Sequence, residues 1–195
     1  QSGQRVADLD SEELDNVELG LRGTAWNRLS YDASVYYMQK DNVIFQDADR
    51  QNVSGAETRH YGLEASLSYQ IAEDWMFNLD GNFAEHQYDS RFSLLGSGGD
   101  IKGNDIDTAP NVFGSARINW NFSRLSGQES VAELEWVYMD EYFLEPDNDH
   151  KYDGHSLFNL RVSSTLGPRW QATLRLTNLL DEQYAERADF GFGSY

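Results

Sequence analysis

No cysteine occurs among the 195 residues, so neither a disulfide framework nor a thiolate metal site is available, and the redox compartment stays open. Nor is there a run of 18 apolar residues. That excludes crossing a membrane by helices, because a spanning helix must present an apolar sheath while satisfying its own backbone. A membrane β-barrel escapes the exclusion. Its strands alternate lipid-facing with lumen-facing residues, and a mean hydropathy of −0.66 is compatible with that alternation. Positive charge is scarce, with 15 Lys and Arg against 33 Asp and Glu and a formal net charge of −18. The basic footprint of nucleic-acid binding is missing, so no nucleic-acid partner is expected, and the acidic residues read as keeping loops solvated. The opening QSGQRVADLDSEELD has no charged-then-apolar leader, which implies a removed leader or an internal piece of a longer chain.

What is present is a period of two. Val17, Leu19, Leu21 and Ala25 share one face opposite Glu18, Gly20, Arg22 and Thr24. The same alternation recurs from Tyr31 to Met38, continuing unevenly to Val43 and Phe45, then from His60 to Tyr69, from Trp75 to Phe83 and from Val112 to Phe122, with Phe113 as an exception. It continues through Ala132–Tyr138, Phe158–Ser163 and Trp170–Thr177. Helical spacing fits none of these, so about eight antiparallel up-and-down strands of roughly 10 to 12 residues are expected, a length that suits a tilted membrane strand.

The connections between them alternate in length. Short ones fall near residue 28, at 70–74, at 123–128 and at 167–169, and long ones at 46–57, 85–109 and 140–154. Outer-membrane barrels keep short turns on the periplasmic side and long loops outside. Trp26, Trp75, Trp120 and Trp170 stand beside the short turns, with Tyr31, Tyr69 and Phe122 near them. An aromatic belt at a membrane interface has this arrangement, since an indole joins an apolar body to a polar N–H. Core packing at the closed end of a soluble barrel is the other reading. By the same parity both ends of the chain fall on the long-loop side, which predicts at least one further strand before Gln1 and one after Tyr195.

Three strings carry a family resemblance. LDSEELDNVELGLRG, then YYMQKDNVIFQ with TRHYGLEASLSYQ, then LRLTNLLDEQYAERADFGFGSY resemble the later barrel strands of TonB-dependent outer-membrane receptors, in order and over nearly the whole chain. The resemblance implies an all-β fold in which residues 1–195 form a partial barrel domain, a segment of a 22-stranded transmembrane barrel. It further implies a plug domain and a final strand that this sequence lacks. The expected function is uptake of a scarce nutrient, most concretely a ferric siderophore, in the bacterial outer membrane. The expected partners are the lipid bilayer, the ligand and TonB, which acts through the plug; no cofactor is implied.

On this reading the polar strand faces line the lumen. Glu18, Arg22, Glu64, Asp80, Arg117, Arg161 and Arg175 are the charged positions there, facing either the plug or a solvated bore. Ligand contacts would lie in the long loops, with Tyr88, Arg91 and Phe92 in HQYDSRFSLLGSGGDIKGNDIDTAP and His150 and His155 in MDEYFLEPDNDHKYDGH. The segment GDIKGNDIDT lacks the spaced carboxylates and terminal Glu of a calcium loop, so no metal site is assigned. Nor is an enzyme expected: His60, His86, His150 and His155 are available, and Ser156 follows His155, but no nucleophile elbow or acid–base pair at a recognisable spacing occurs. Two alternatives stay open, a small outer-membrane barrel enzyme and a soluble lipocalin-like eight-stranded ligand-binding barrel with its apolar face inward. An adhesive or structural barrel is a third.

Overall fold

The computed structural model describes residues 9–46, 52–90 and 100–188. Eight strands make one antiparallel sheet: β1 (Glu13–Ala25), β2 (Leu29–Gln46), β3 (Asn52–Ala72), β4 (Trp75–Tyr88), β5 (Val112–Asn121), β6 (Ser130–Met139), β9 (His155–Thr165) and β10 (Gln171–Leu176). They lie side by side in chain order, β1-β2-β3-β4-β5-β6-β9-β10, so each neighbour in sequence is a neighbour in space. A second, two-stranded ribbon of β7 (Tyr142–Phe143) and β8 (Lys151–Tyr152) sits in the connection between β6 and β9. A four-residue helix, α1 (Ser123–Ser126), fills the connection between β5 and β6 and ends at Gly127, whose φ of 69° is the left-handed conformation that suits a residue without Cβ.

Because side chains alternate faces, strand register decides whether the apolar sets of successive strands meet. They do. Leu19, Val35, Leu63, Phe83 and Val112 form one cross-strand row. Tyr31, Leu67, Leu79, Ala116, Trp136 and Phe158 form another. A third runs Leu29, Tyr69, Phe77, Ile118, Leu134, Leu160 and Leu176 across the sheet from β2 to β10. The short turns hold this register. Between β1 and β2 only three residues intervene, with Trp26 and Asn27 at φ of 51° and 55° and the Arg28 N–H donating to the Ala25 carbonyl at 3.1 Å. Gly114 is required where β4 and β5 approach, because a Cβ there would run into the Asp80 carbonyl oxygen and lie 2.9 Å from the Gly81 Cα.

The apolar rows are not buried against a second layer. Val17 and Leu19 are each 74% exposed, and Leu63, Leu79 and Phe83 are exposed as well. Among the described residues the buried apolar side chains are Ala56, Ala84, Tyr88, Ile101, Tyr142 and Ala188, all toward the long-loop end. The opposite face carries Arg22, Asp32, Ser66, Asp80 and Ser115 in a single row. Charged groups at that density are costly against hydrocarbon, so the apolar face is the one turned to lipid. On β3 the positions from Tyr61 to Ala72 climb roughly 25 to 30 Å for a tilted strand, the height of an apolar band. The upper limit is marked by Glu85, which faces lipid-side from β4, pairs with Tyr61 in register and accepts a hydrogen bond from its hydroxyl.

Two expectations need correction. The interval 46–57 is not a long loop: β2 extends to Gln46 and β3 starts at Asn52, because the hairpin keeps pairing beyond the membrane, with register shifts between Lys40 and Val43 and between Val43 and Phe45. For the same reason β2 and β3 have 18 and 21 residues, well beyond the expected strand length, and β4 runs past Glu85 to Tyr88. As the partial-barrel reading expects, the eight strands do not close on themselves. β1 and β10 are the two edges of the sheet, which is an open stretch of barrel wall and not a lipocalin-like ring.

Candidate functional site

The polar face is built by the same register that aligns the apolar one. Asp80 on β4 receives the Arg117 guanidinium from β5 and the Ser66 hydroxyl from β3, the latter at 2.8 Å. One row nearer the short turns, Ser68 donates to Asn78 at 2.7 Å, and Asn78, Arg117, Glu135 and Asn159 stand opposite one another in sequence, with Asn159 Nδ2 donating to Glu135 at 3.0 Å. Glu64 accepts from Asn82 Nδ2 at 3.3 Å, and Arg22 lies 3.8 Å from Asp32. Arg161 sits between Glu133 on β6 and Arg175 on β10. Glu18 stands opposite Tyr36. All seven lumen-facing candidates, Glu18, Arg22, Glu64, Asp80, Arg117, Arg161 and Arg175, therefore share the polar face, tied by ladders across the wall. Pairs this exposed contribute little stability each, roughly 0 to 1 kcal/mol. Their value is placement: they hold charged groups in fixed positions on the polar face.

At the short-turn end Trp75 and Trp120 stack with centroids 5.4 Å apart and planes 7° from parallel, and Phe122 lies 5.3 Å from Trp120. Tyr69 stands one row further in, opposite Phe77. Trp26 projects from the β1–β2 turn, 82% exposed, and Trp170 precedes β10. Tyr31 lies further into the band, its hydroxyl crowding the space above Gly23, where a side chain would otherwise stand.

At the other end two long connections are pinned to each other. Asn148 donates through Nδ2 to the Asp105 carbonyl at 2.9 Å and accepts from the Asp105 N–H at 2.8 Å, while Asn104 Nδ2 donates to the Pro146 carbonyl at 2.9 Å. Buried Glu145 accepts from the backbone N–H groups of Asp149 and His150 and pairs with His150 Nδ1 at 2.9 Å. Tyr88 is 6% exposed and donates to Asp107 at 2.6 Å, and burial, then that bond, push its phenol pKa up. Its role here is to brace the base of the loop. Asp89 pairs with Lys102 at 2.6 Å, which holds its carboxyl below the usual range. His155 packs 4.8 Å from Tyr184 and hydrogen-bonds Tyr152 at 2.9 Å, while Tyr142 exchanges hydrogen bonds with the Ala188 backbone. Arg91 and Phe92 lie outside the described residues. His150 and His155 thus belong to two different loop networks.

Sequence reasoning missed the asparagines that fasten the loops, because nothing local distinguishes them from solvated ones. It also missed the meeting of His60 and His86, which stand opposite each other on β3 and β4 with Nδ1 atoms 2.8 Å apart. The hairpin turn at 73–74 determines that pairing, so the signal was present in the register of the two strands.

The chain matches the family described as TonB dependent receptor-like, beta-barrel, over residues 1–179. Among solved structures it is similar to the siderophore receptor PiuA from Acinetobacter baumannii, at 18% identity and a TM-score of 0.75, covering 90% of this chain and 25% of that one. It is similar also to the ferric citrate transporter FecA in its unliganded form, at 17% identity and a TM-score of 0.77, covering 92% and 28%. The copper transporter OprC matches at 16% identity and a TM-score of 0.68, covering 93% and 28%. The chain spans about a quarter of the length of these structures.

Proposed function

The chain belongs to the TonB-dependent receptor β-barrel family, and from that membership we propose that residues 1–195 form one partial barrel domain of a receptor that imports a ferric siderophore. The family's barrels lie in the outer membrane, and so does this one. Energy would reach the ligand through a plug in the bore contacted by TonB. The wall makes and breaks no bonds: it insulates the bore from lipid, offers Arg117, Asp80, Arg161 and their neighbours to the plug, and carries the loops that select cargo. Within those loops Arg91, Phe92, His150 and His155 are the proposed ligand contacts.

The observation that carries this reading is a wall with continuous apolar rows on one face and a charged ladder on the other, within a chain that matches the family over residues 1–179. Copper is the second reading, since a copper transporter shares the fold at a similar level of likeness. The test is deletion of the gene followed by uptake of ⁵⁵Fe-loaded siderophores and of copper under metal limitation. Loss of uptake of one ferric chelate, restored by the wild-type gene and reduced with Arg117→Glu together with Arg161→Glu, is the expected result. Intact iron uptake with reduced copper uptake would move the assignment to copper.

A further inference from the structure

We propose that His60 and His86 form a two-imidazole clip for a divalent transition-metal ion on the bore side of the wall, just beyond the outer edge of the membrane. The two residues are directly opposed in the β3–β4 ladder, one row further out than the Tyr61–Glu85 pair that marks the end of the apolar band. Their ring centroids are 5.1 Å apart with planes 58° apart, and the Nδ1 atoms meet nearly head-on along that line at 2.8 Å, within hydrogen-bond distance. A divalent ion bonded to two imidazoles at about 2.0 to 2.1 Å in adjacent coordination positions needs its nitrogens about 2.9 Å apart or slightly more. The ladder therefore already holds the two nitrogens at close to the separation a chelate needs, and insertion replaces their mutual hydrogen bond as both rings turn until their lone pairs point at one ion.

The surroundings favour the form that binds metal. An imidazole must be neutral to ligate. Burial, then the neighbouring His86, then Lys40, push the pKa of His60 down to about 4, and burial lowers that of His86 against an opposing pull from Asp105. Thr58, 5% exposed, lies with Oγ1 3.0 Å from His60 Nε2. When that nitrogen carries the proton and donates to Thr58, the Nδ1 lone pair of His60 is left facing His86. This is the outer contact that fixes tautomer and ring orientation in metal sites. Asp105 is bridged to Gln87, and the following Ile106 N–H donates to the His86 carbonyl, so a carboxylate-bearing residue of the loop is fastened beside the clip. Met38 on β2 stands opposite His60 in the adjoining ladder. Among the described residues no group of three or more His, Asp or Glu side chains is gathered for a metal. The clip thus supplies two donors and leaves the other positions to water or to a chelator in the bore. Purely structural pairing, with one imidazole donating to the other, is the competing account, and it predicts no metal affinity.

The test uses the full-length receptor, tag-free, in detergent and stripped with EDTA, titrated with Cu²⁺. The expected result is one bound equivalent whose electron paramagnetic resonance shows two imidazole nitrogens. Affinity should fall at least 10- to 100-fold in both H60Q and H86Q and stay unchanged in Q128A, at a short turn on the far end of the wall, with heat-modified gel mobility reporting folding. A wild-type spectrum with one nitrogen or none overturns the proposal, and so does wild-type affinity in folded H86Q. The spectrum is read on the wild type, so the outcome stands even where a variant folds poorly. It is independent of what cargo the receptor imports, because bound metal is the readout and uptake is not.

Discussion

Leu67 and its neighbour Ser66 lie near the middle of the apolar band on β3 and point to opposite faces, so an arginine at each reports which side meets lipid. Leu67 stands in the row of Tyr31 and Leu79, and Ser66 stands between Asp32 and Asp80. An arginine on the lipid side at mid-depth costs about 2 to 4 kcal/mol, a factor of roughly 30 to 700 in the folding equilibrium. At Ser66 the new guanidinium meets two carboxylates in a polar bore. It replaces one hydroxyl hydrogen bond with ion pairs, for a net change within about 1 kcal/mol. Leu67→Ala separates lost packing from added charge. The assay is denaturant titration of the full-length receptor in lipid vesicles, followed by gel mobility. Equal costs at the two sites, or a larger one at Ser66, would refute the assignment of the faces and with it the membrane reading of the sheet.

Gly114→Val forces a side chain into the Asp80 carbonyl and should lower the folded yield in vesicles by the equivalent of about 1 to 3 kcal/mol, whereas Gly20→Ala, with nearest neighbours at 3.7 Å, should stay within about 0.5 kcal/mol. Asn148→Ala removes the two-way bond to Asp105, roughly 1 kcal/mol for each hydrogen bond lost. Faster proteolysis between 100 and 111 with unchanged barrel stability is the expected readout. The Asp89–Lys102 pair lowers the aspartate pKa from 3.8, so its contribution is fully present above about that pH and is lost as pH falls through the lowered value. Hydrogen exchange around residues 100–105, corrected for intrinsic rates, should show constant protection from pH 7 to about 4 and a decline only below; a decline between pH 7 and 5 would contradict it, and Asp89→Asn should abolish the dependence.

The wall was readable in the sequence because its determinants are local and repeated. Alternation gives each strand its two faces, and a turn as short as the one around Trp26 and Asn27 leaves almost no choice of register. The charged lumen candidates followed from that parity alone, without knowledge of any partner. Strand length was less legible: nothing in the stretch from Asn42 to Ala56 announces whether pairing stops at the membrane edge, because beyond lipid the alternation is no longer enforced and bulges intrude. The loops were least legible. Tyr88 reads as an exposed ligand contact until a segment remote in sequence covers it and Asp107 takes its hydroxyl, and Asn148 reads as a solvated turn residue until Asp105 arrives beside it.

The same division explains why the two histidines are informative. A strand position beyond the hydrocarbon is released from the requirement of apolar and polar alternation, but it still inherits the register imposed by the turn at its foot. His60 and His86 are paired by the turn at residues 73–74, which sets which positions face each other all the way up the hairpin. A barrel of this kind can therefore mount side chains above the membrane with the geometric accuracy of a ladder, while the loops above them vary. Groups that need a fixed separation, such as two ligands to one ion, belong on that extension of the strands; groups that only need to reach a variable cargo belong in the loops. The distribution seen here, with opposed imidazoles on β3 and β4 and the asparagine-fastened connections beyond them, follows that rule.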